Sequence, residues 1–173
     1  MSHPVVRPNG IVGTLTIADR TFACALGKGG VVPGAEKREG DGATPAGTWK
    51  LRDGFWRADR LERPKGPLAF AAIRSDMLWD DDPASPTYNT LLRCDVPDHP
   101  ERLMRADHVY DIVIPLGFND GPIVAGRGSA IFLHVARDGY APTAGCVALA
   151  RDDLVELVGL LGPSPEIEIK NAN

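Results

Sequence analysis

Between residues 128 and 149 the chain brings together the parts of an acyl-transfer reaction. His134 ends an apolar run, a turn-rich loop follows, and the pair Gly145-Cys146 opens the next apolar run, Val147-Ala148-Leu149. A thiol attacks a carbonyl as its thiolate, and a cysteine of ordinary pKa, about 8.5, is only slightly ionised at neutrality, so it needs a base that draws its proton away. Cys146 therefore reads as a nucleophile and His134 as its general base, a pairing that predicts a low apparent pKa at Cys146. Gly145 has no β-carbon, which lets a substrate approach the backbone and lets neighbouring N–H groups aim at one oxyanion position.

These roles require the two apolar runs to be neighbours. If they pair as an antiparallel hairpin centred on Tyr140, His134 and Cys146 face each other across the ladder, with β-carbons roughly 4.5 to 5.5 Å apart. The other thiols carry less. Cys24 lies in the apolar run Phe22 to Leu26 and reads as core, and three widely spaced cysteines do not make a disulfide framework. Cys94, His99 and His108 fit no compact zinc spacing, and Asp80 to Asp82 lacks the glycine and final glutamate of a calcium loop, so neither a metal nor an organic cofactor is expected.

The elements that must position this pair are mostly strands. Alternating or β-branched runs bounded by turn residues predict eight of them: 11–18, 21–26, 48–52, 68–73, 108–115, 131–135, 146–149 and 166–170. The first two read as a hairpin joined by Asp19-Arg20. One helix is predicted over 151–161, where Leu154, Val155, Leu157, Val158 and Leu161 form an apolar stripe, with Asp152 and Asp153 in the first turn and Gly162-Pro163 after the end. A weaker helix is predicted over 100–106. Residues 27–47 and 74–100 are dense in turn formers, and loops this long inside a compact domain are usually functional. The expected fold is β-rich α+β, a mixed β-sheet sandwich with one or two peripheral helices, in a single domain over residues 1–173.

With those residues in view, the chain resembles the L,D-transpeptidase catalytic domain, also called the YkuD domain. That family has a histidine at a strand end, a variable loop, then Ser/Thr-His-Gly-Cys, an apolar residue and Asn or Arg. Here the matching stretch is His134 followed by Thr143-Ala144-Gly145-Cys146-Val147-Ala148. Upstream, Gly40-Asp41-Gly42-Ala43-Thr44-Pro45-Ala46-Gly47-Thr48-Trp49 is similar to the family's Thr-Pro-x-Gly-x-aromatic turn. Ala144 stands where the family often has histidine and Ala148 where it usually has Asn or Arg.

The resemblance implies that Cys146 attacks the carbonyl preceding a terminal D-amino acid of a peptidoglycan stem tetrapeptide. The D-alanine leaves and a thioester remains, to be resolved by an amine of a second stem, or by water in an L,D-carboxypeptidase. It further implies that the Val135 carbonyl orients His134 and that the N–H groups of Gly145 and Cys146 receive the oxyanion. A stem peptide carries carboxylates, so with Ala148 in place of Asn or Arg the cations Arg127 and Arg137 are the candidate anchors. Thr143 is a candidate hydroxyl for the substrate backbone and Tyr140 a candidate lid. Ala144 and Ala148 also fit a reading of another class, a cell-wall peptide-binding module without turnover.

Composition excludes other functions. Leu, Ile, Val and Phe make about a quarter of the 173 residues, enough to build a core, so global disorder is not expected. A net charge of −4 gives no cationic footprint for nucleic acid. The longest apolar run, 112–118, is interrupted by Pro115 and far too short to span a bilayer. The stretch Met1 to Pro8 holds two prolines and no apolar core, so it does not read as a secretory signal. That reading predicts the cytoplasm, or the periplasm if a leader has been removed.

Overall fold

Alternation of buried and exposed side chains makes strands of the first part of the chain. The computed structural model describes residues 3–96 and 99–172. In β1 (Val5–Asn9), β2 (Val12–Ile17) and β3 (Arg20–Ala25), Val6, Leu15, Ile17 and Phe22 point inward between more exposed neighbours, and Cys24 continues the inward row. That is the period of two that a sheet with one buried face demands. The β2–β3 hairpin turns through Ala18-Asp19, one residue before the expected connection, with Ala18 in the left-handed region at φ 51°.

The remaining elements are β4 (Val31–Pro33), β5 (Thr44–Lys50), β6 (Gly54–Trp56), β7 (Phe70–Ala72), β8 (Met77–Trp79), β9 (Leu91–Arg93), β10 (Ile112–Pro115), β11 (Phe132–Val135), β12 (Val147–Leu149), α1 (Arg151–Leu160) and β13 (Glu166–Ile169). Eleven strands form one mixed sheet in the order β4-β5-β13-β1-β2-β3-β12-β11-β10-β6-β7, and β8 pairs with β9 apart from it. The fold is mostly β, as expected. No helix among the described residues is long and apolar enough to cross a membrane.

Two local expectations are corrected. Residues 100–106 form no helix: the Leu103 N–H bonds the Met77 carbonyl at 3.0 Å and Arg102 bridges Leu78, because Leu103 is buried beside the β8–β9 hairpin. The predicted strand 108–115 begins only at Ile112, since His108 to Asp111 close a turn through Asp111 N–H to His108 O at 3.0 Å.

The sheet centre is covered on both faces, with every residue of β10, β11 and β12 buried. Leu133, Val135, Val147 and Leu149 pack in one cluster with Leu154, Leu157 and Val158 of α1, each such side chain contributing about 1.5–3 kcal/mol on burial. Phe132 and Cys146 join the opposite cluster, with Val113, Met77, Leu103 and Tyr110.

The largest correction concerns the two strands that carry the site. β11 and β12 are parallel, with Leu133 beside Val147 and His134 beside Ala148, and do not form an antiparallel hairpin. The connection does not double back at Tyr140. It makes a short 3-10 turn at Asp138–Tyr140 and then runs Thr143 alongside Gly27 just beyond β3, with Thr143 N–H to Leu26 O at 2.9 Å and Lys28 N–H to Thr143 O at 2.8 Å. From there it re-enters the sheet between β3 and β11. A parallel return needs such a crossover, and this loop is long enough to make one.

Candidate active site

The parallel register still puts His134 and Cys146 on one face. Successive side chains of a strand alternate; Leu133 and Val147 are level and face α1, so Phe132, His134, Cys146 and Ala148 point the other way. Both His134 and Cys146 line a single cleft of about 270 Å³. Cys146 is one step earlier on this face than the residue opposite His134, so the two are diagonal neighbours.

His134 is 4% exposed, and its Nδ1 lies 2.9 Å from the Val135 carbonyl. A carbonyl can only accept, so Nδ1 carries the hydrogen and Nε2 holds a free lone pair. Tyr110 packs edge-on against the imidazole, with ring centroids 5.6 Å apart. Burial pulls the imidazole down to about 4, partly opposed by the Val135 hydrogen bond and reinforced by Arg137 and Arg105. The ring is therefore neutral at physiological pH.

Cys146 is 7% exposed. Its thiol donates to the Ala130 carbonyl at 3.2 Å, and its sulfur accepts the Phe132 N–H at 3.3 Å. Burial pushes the thiol up to about 12. The low apparent pKa expected from the sequence is thus reversed: the imidazole is itself desolvated, and no cation close to the sulfur outweighs its burial. A neutral thiol faces a cleft shared with a neutral imidazole. Such a pair ionises only as the sulfur attacks, the imidazole taking the proton in the same event.

Gly145 is required by space as well as by conformation. Its φ is 136°, and a β-carbon there would sit 2.8 Å from the Ala43 carbonyl oxygen. Ala43 belongs to the Gly40-to-Trp49 motif, so that turn forms the floor under the nucleophile. Asp41 shapes it by accepting the N–H groups of Ala43 and Arg38, each at 2.8 Å, and the ammonium of the buried Lys37.

Two of the expected donors are already engaged. The Gly145 N–H is turned to Thr143 Oγ1 at 3.1 Å, so it does not point into the cleft as an oxyanion donor. The Thr143 hydroxyl in turn donates to the Cys146 carbonyl at 2.7 Å. Thr143 lines the cleft, and its hydroxyl ties the nucleophile turn together.

The anchors divide. Arg137 lines the cleft, is exposed, and has no ion partner among the described residues. Arg127 does not line it, and Tyr140 opens on a separate depression with His108, Asp111 and Arg151. Tyr140 stands apart because the crossover path carries the loop tip away from the sulfur, whereas Arg127 lies on the segment between β10 and β11, outside that crossover.

Of the remaining walls, Lys28 reads in the sequence as surface charge or a carboxylate anchor, while Glu39, Glu101 and Arg105 carry no such reading. Lys28 and Arg105 add positive charge; Glu39, Asp81 and Glu101 add carboxyl groups, Glu101 being raised by burial and by Asp81. Glu39 is held by the hydroxyls of Ser129, at 3.0 Å, and Tyr88, at 2.6 Å. Lys28 and Glu39 arrive on the first long loop and Asp81 on the second, so the length of those loops was the available signal. Arg105 and Glu101 stand in no local motif.

The family model of the L,D-transpeptidase catalytic domain, YkuD, matches residues 11–169. No curated protein matches. Among solved structures, the chain is similar to L,D-transpeptidase 1 of Mycobacterium tuberculosis at 12% identity and a TM-score of 0.38, over 97% of this chain and 62% of that one. The chain thus spans less than two thirds of that structure's length. With the family model covering nearly all of its residues, and with the thiol and imidazole at the motif positions opening on one cleft, the chain belongs to the YkuD family of L,D-transpeptidase catalytic domains.

Proposed function

We propose that this chain transfers acyl groups between peptidoglycan stem peptides through a thioester on Cys146, with His134 as general base. The observation that supports this reading best is the placement of a neutral thiol and a neutral imidazole on one sheet face, in one cleft, with the proton of the imidazole fixed on Nδ1 by Val135.

As sulfur attacks the carbonyl preceding the terminal D-amino acid, Nε2 takes the thiol proton, and the carbonyl oxygen becomes an oxyanion. With the Gly145 N–H engaged, the Cys146 N–H is the proposed donor to it. The tetrahedral adduct collapses, the C–N bond breaks, and the imidazolium returns its proton to the departing amine of the D-amino acid. An acceptor amine then attacks the thioester; Nε2 takes a proton from it and delivers it to the leaving sulfur, which restores the thiol and leaves an amide crosslink. Water in place of the amine gives a shortened stem and carboxypeptidase activity. Arg137, free of ion partners among the described residues, is the proposed anchor for a stem carboxylate.

The test is product analysis with a tetrapeptide donor and a second stem as acceptor. Released D-alanine with a crosslinked dimer, both absent in Cys146→Ala, is expected. D-alanine with tripeptide alone makes the enzyme a hydrolase, and no released D-alanine refutes the reading.

A further inference from the structure

Ala130, whose carbonyl accepts the Cys146 thiol, is itself held in an unusual way. Its φ is 54°, in the left-handed region that residues with a side chain seldom adopt. What fixes it there is Asn89, 6% exposed, which belongs to none of the motifs considered so far. The Asn89 Oδ1 accepts the Ala130 N–H at 3.1 Å and the Trp79 indole N–H at 3.0 Å. Its Nδ2 donates to the carbonyls of Phe118, at 3.3 Å, and Asn119, at 2.8 Å. Both donors and both acceptor sites of the carboxamide are used, and only this orientation of the amide matches two N–H groups to oxygen and two carbonyls to nitrogen. Asn89 sits at φ 58°, a conformation asparagine tolerates better than most residues.

We infer that Asn89 is a positioning residue for the nucleophile. By gripping the N–H of Ala130 it fixes the peptide turn that aims the Ala130 carbonyl at the thiol, while the Phe132 N–H holds the sulfur from the other side. The sulfur is thereby kept in one rotamer with its hydrogen parked on Ala130. Activation then requires the thiol hydrogen to leave that carbonyl for the imidazole of His134, which lines the same cleft. The inference rests on the reading of Cys146 as the nucleophile, but the placement of the thiol hydrogen is testable apart from it.

The experiment is infrared spectroscopy of the S–H stretch of Cys146, isolated by subtracting the spectrum of Cys146→Ser, together with the rate of Cys146 acylation by a tetrapeptide donor. Asn89→Gly removes the carboxamide and retains the backbone conformation. It is expected to move the S–H band to higher frequency and broaden it, and to slow acylation on the order of tenfold, as loss of sub-ångström positioning does. Trp56→Phe, which removes an indole N–H bonded to the Leu61 carbonyl outside this network, is expected to leave band and rate at wild-type values. A residue that merely supported the fold would change melting temperature and leave the band alone; an unchanged band in Asn89→Gly overturns the inference. Wild-type acylation matched by Asn89→Gly likewise overturns it while leaving the enzyme standing. A shifted band with no acylation of the wild type sinks the enzymatic reading and supports the placement of the sulfur. If Asn89→Gly does not fold, amide exchange of the wild type decides: protection of the Ala130 N–H supports the grip, and exchange at the rate of an exposed loop overturns it.

Discussion

Replacing Gly145 by alanine tests how the nucleophile is mounted. Two costs add. The backbone at φ 136° lies where only glycine is comfortable, and holding an alanine there costs about 1–3 kcal/mol. The new β-carbon also meets the Ala43 carbonyl oxygen at 2.8 Å, a backbone atom in a loop braced by Asp41, so relief requires moving either that loop or the Cys146 turn. Gly139 supplies the control: it too has a positive φ, 67°, but nothing lies within 4 Å of its would-be β-carbon. Gly139→Ala should lose about 1 kcal/mol, and Gly145→Ala roughly 2–4 kcal/mol. In a chain of this size the second corresponds to a fall of roughly 5–15 °C in Tm. Displacing the sulfur by about 1 Å should slow acylation on the order of a hundredfold, whereas Gly139→Ala should acylate as wild type. Differential scanning calorimetry and acylation followed by intact mass read both quantities. Equal losses of Tm in the two variants, or wild-type acylation by Gly145→Ala, would refute the steric reasoning.

The neutral pair makes further expectations. An unfolded histidine titrates near 6.5, while burial holds His134 at about 4, so between those values the unfolded chain binds a proton that the folded chain refuses. Stability is intact above about pH 6.5 and falls as pH drops toward 4, by up to roughly 3 kcal/mol; His134→Gln should flatten this part of the Tm profile, and an unchanged slope contradicts it. Because the Cys146 thiol is pushed up to about 12, alkylation of Cys146 by iodoacetamide should keep rising with pH through 10, and a plateau below pH 8 would show a thiolate that this environment does not support. Arg137→Ala should raise KM for a stem carrying a free carboxylate a few-fold, the scale of an exposed ion pair, with kcat nearly unchanged, while Arg127→Ala leaves both within twofold; a larger effect at Arg127 would reverse the assignment.

Much of this site was legible before any coordinates. The Gly-Cys pair after a strand-ending histidine located the cleft, because nucleophile, base and glycine are each chemically distinctive and close in sequence. The same spacing misled about topology: period-two patterning says which face a side chain takes but not the direction in which the next strand runs, and a loop that crosses over reads like a loop that turns back. The error was harmless for His134 and Cys146, since parallel pairing also leaves them on one face, but it misplaced Tyr140. Short or proline-bearing strands such as β1 and β4 were missed because their pairing, and not their own pattern, defines them. The pKa of Cys146 was read with the wrong sign because proximity to an imidazole is visible in spacing, whereas burial of both partners depends on Tyr110, Phe132 and the long loops. Glu101 and Arg105 reach the cleft by tertiary folding alone.

The sharpest single measurement is intact-mass analysis and peptide mapping after incubation with a tetrapeptide donor. The expected result is an acyl adduct on Cys146 with loss of the terminal D-amino acid, no adduct in Cys146→Ala, and acylation slowed about 10²- to 10⁴-fold in His134→Ala. An adduct on Cys24 or Cys94, or wild-type acylation without His134, would contradict a thiol–imidazole centre at the junction of β11 and β12.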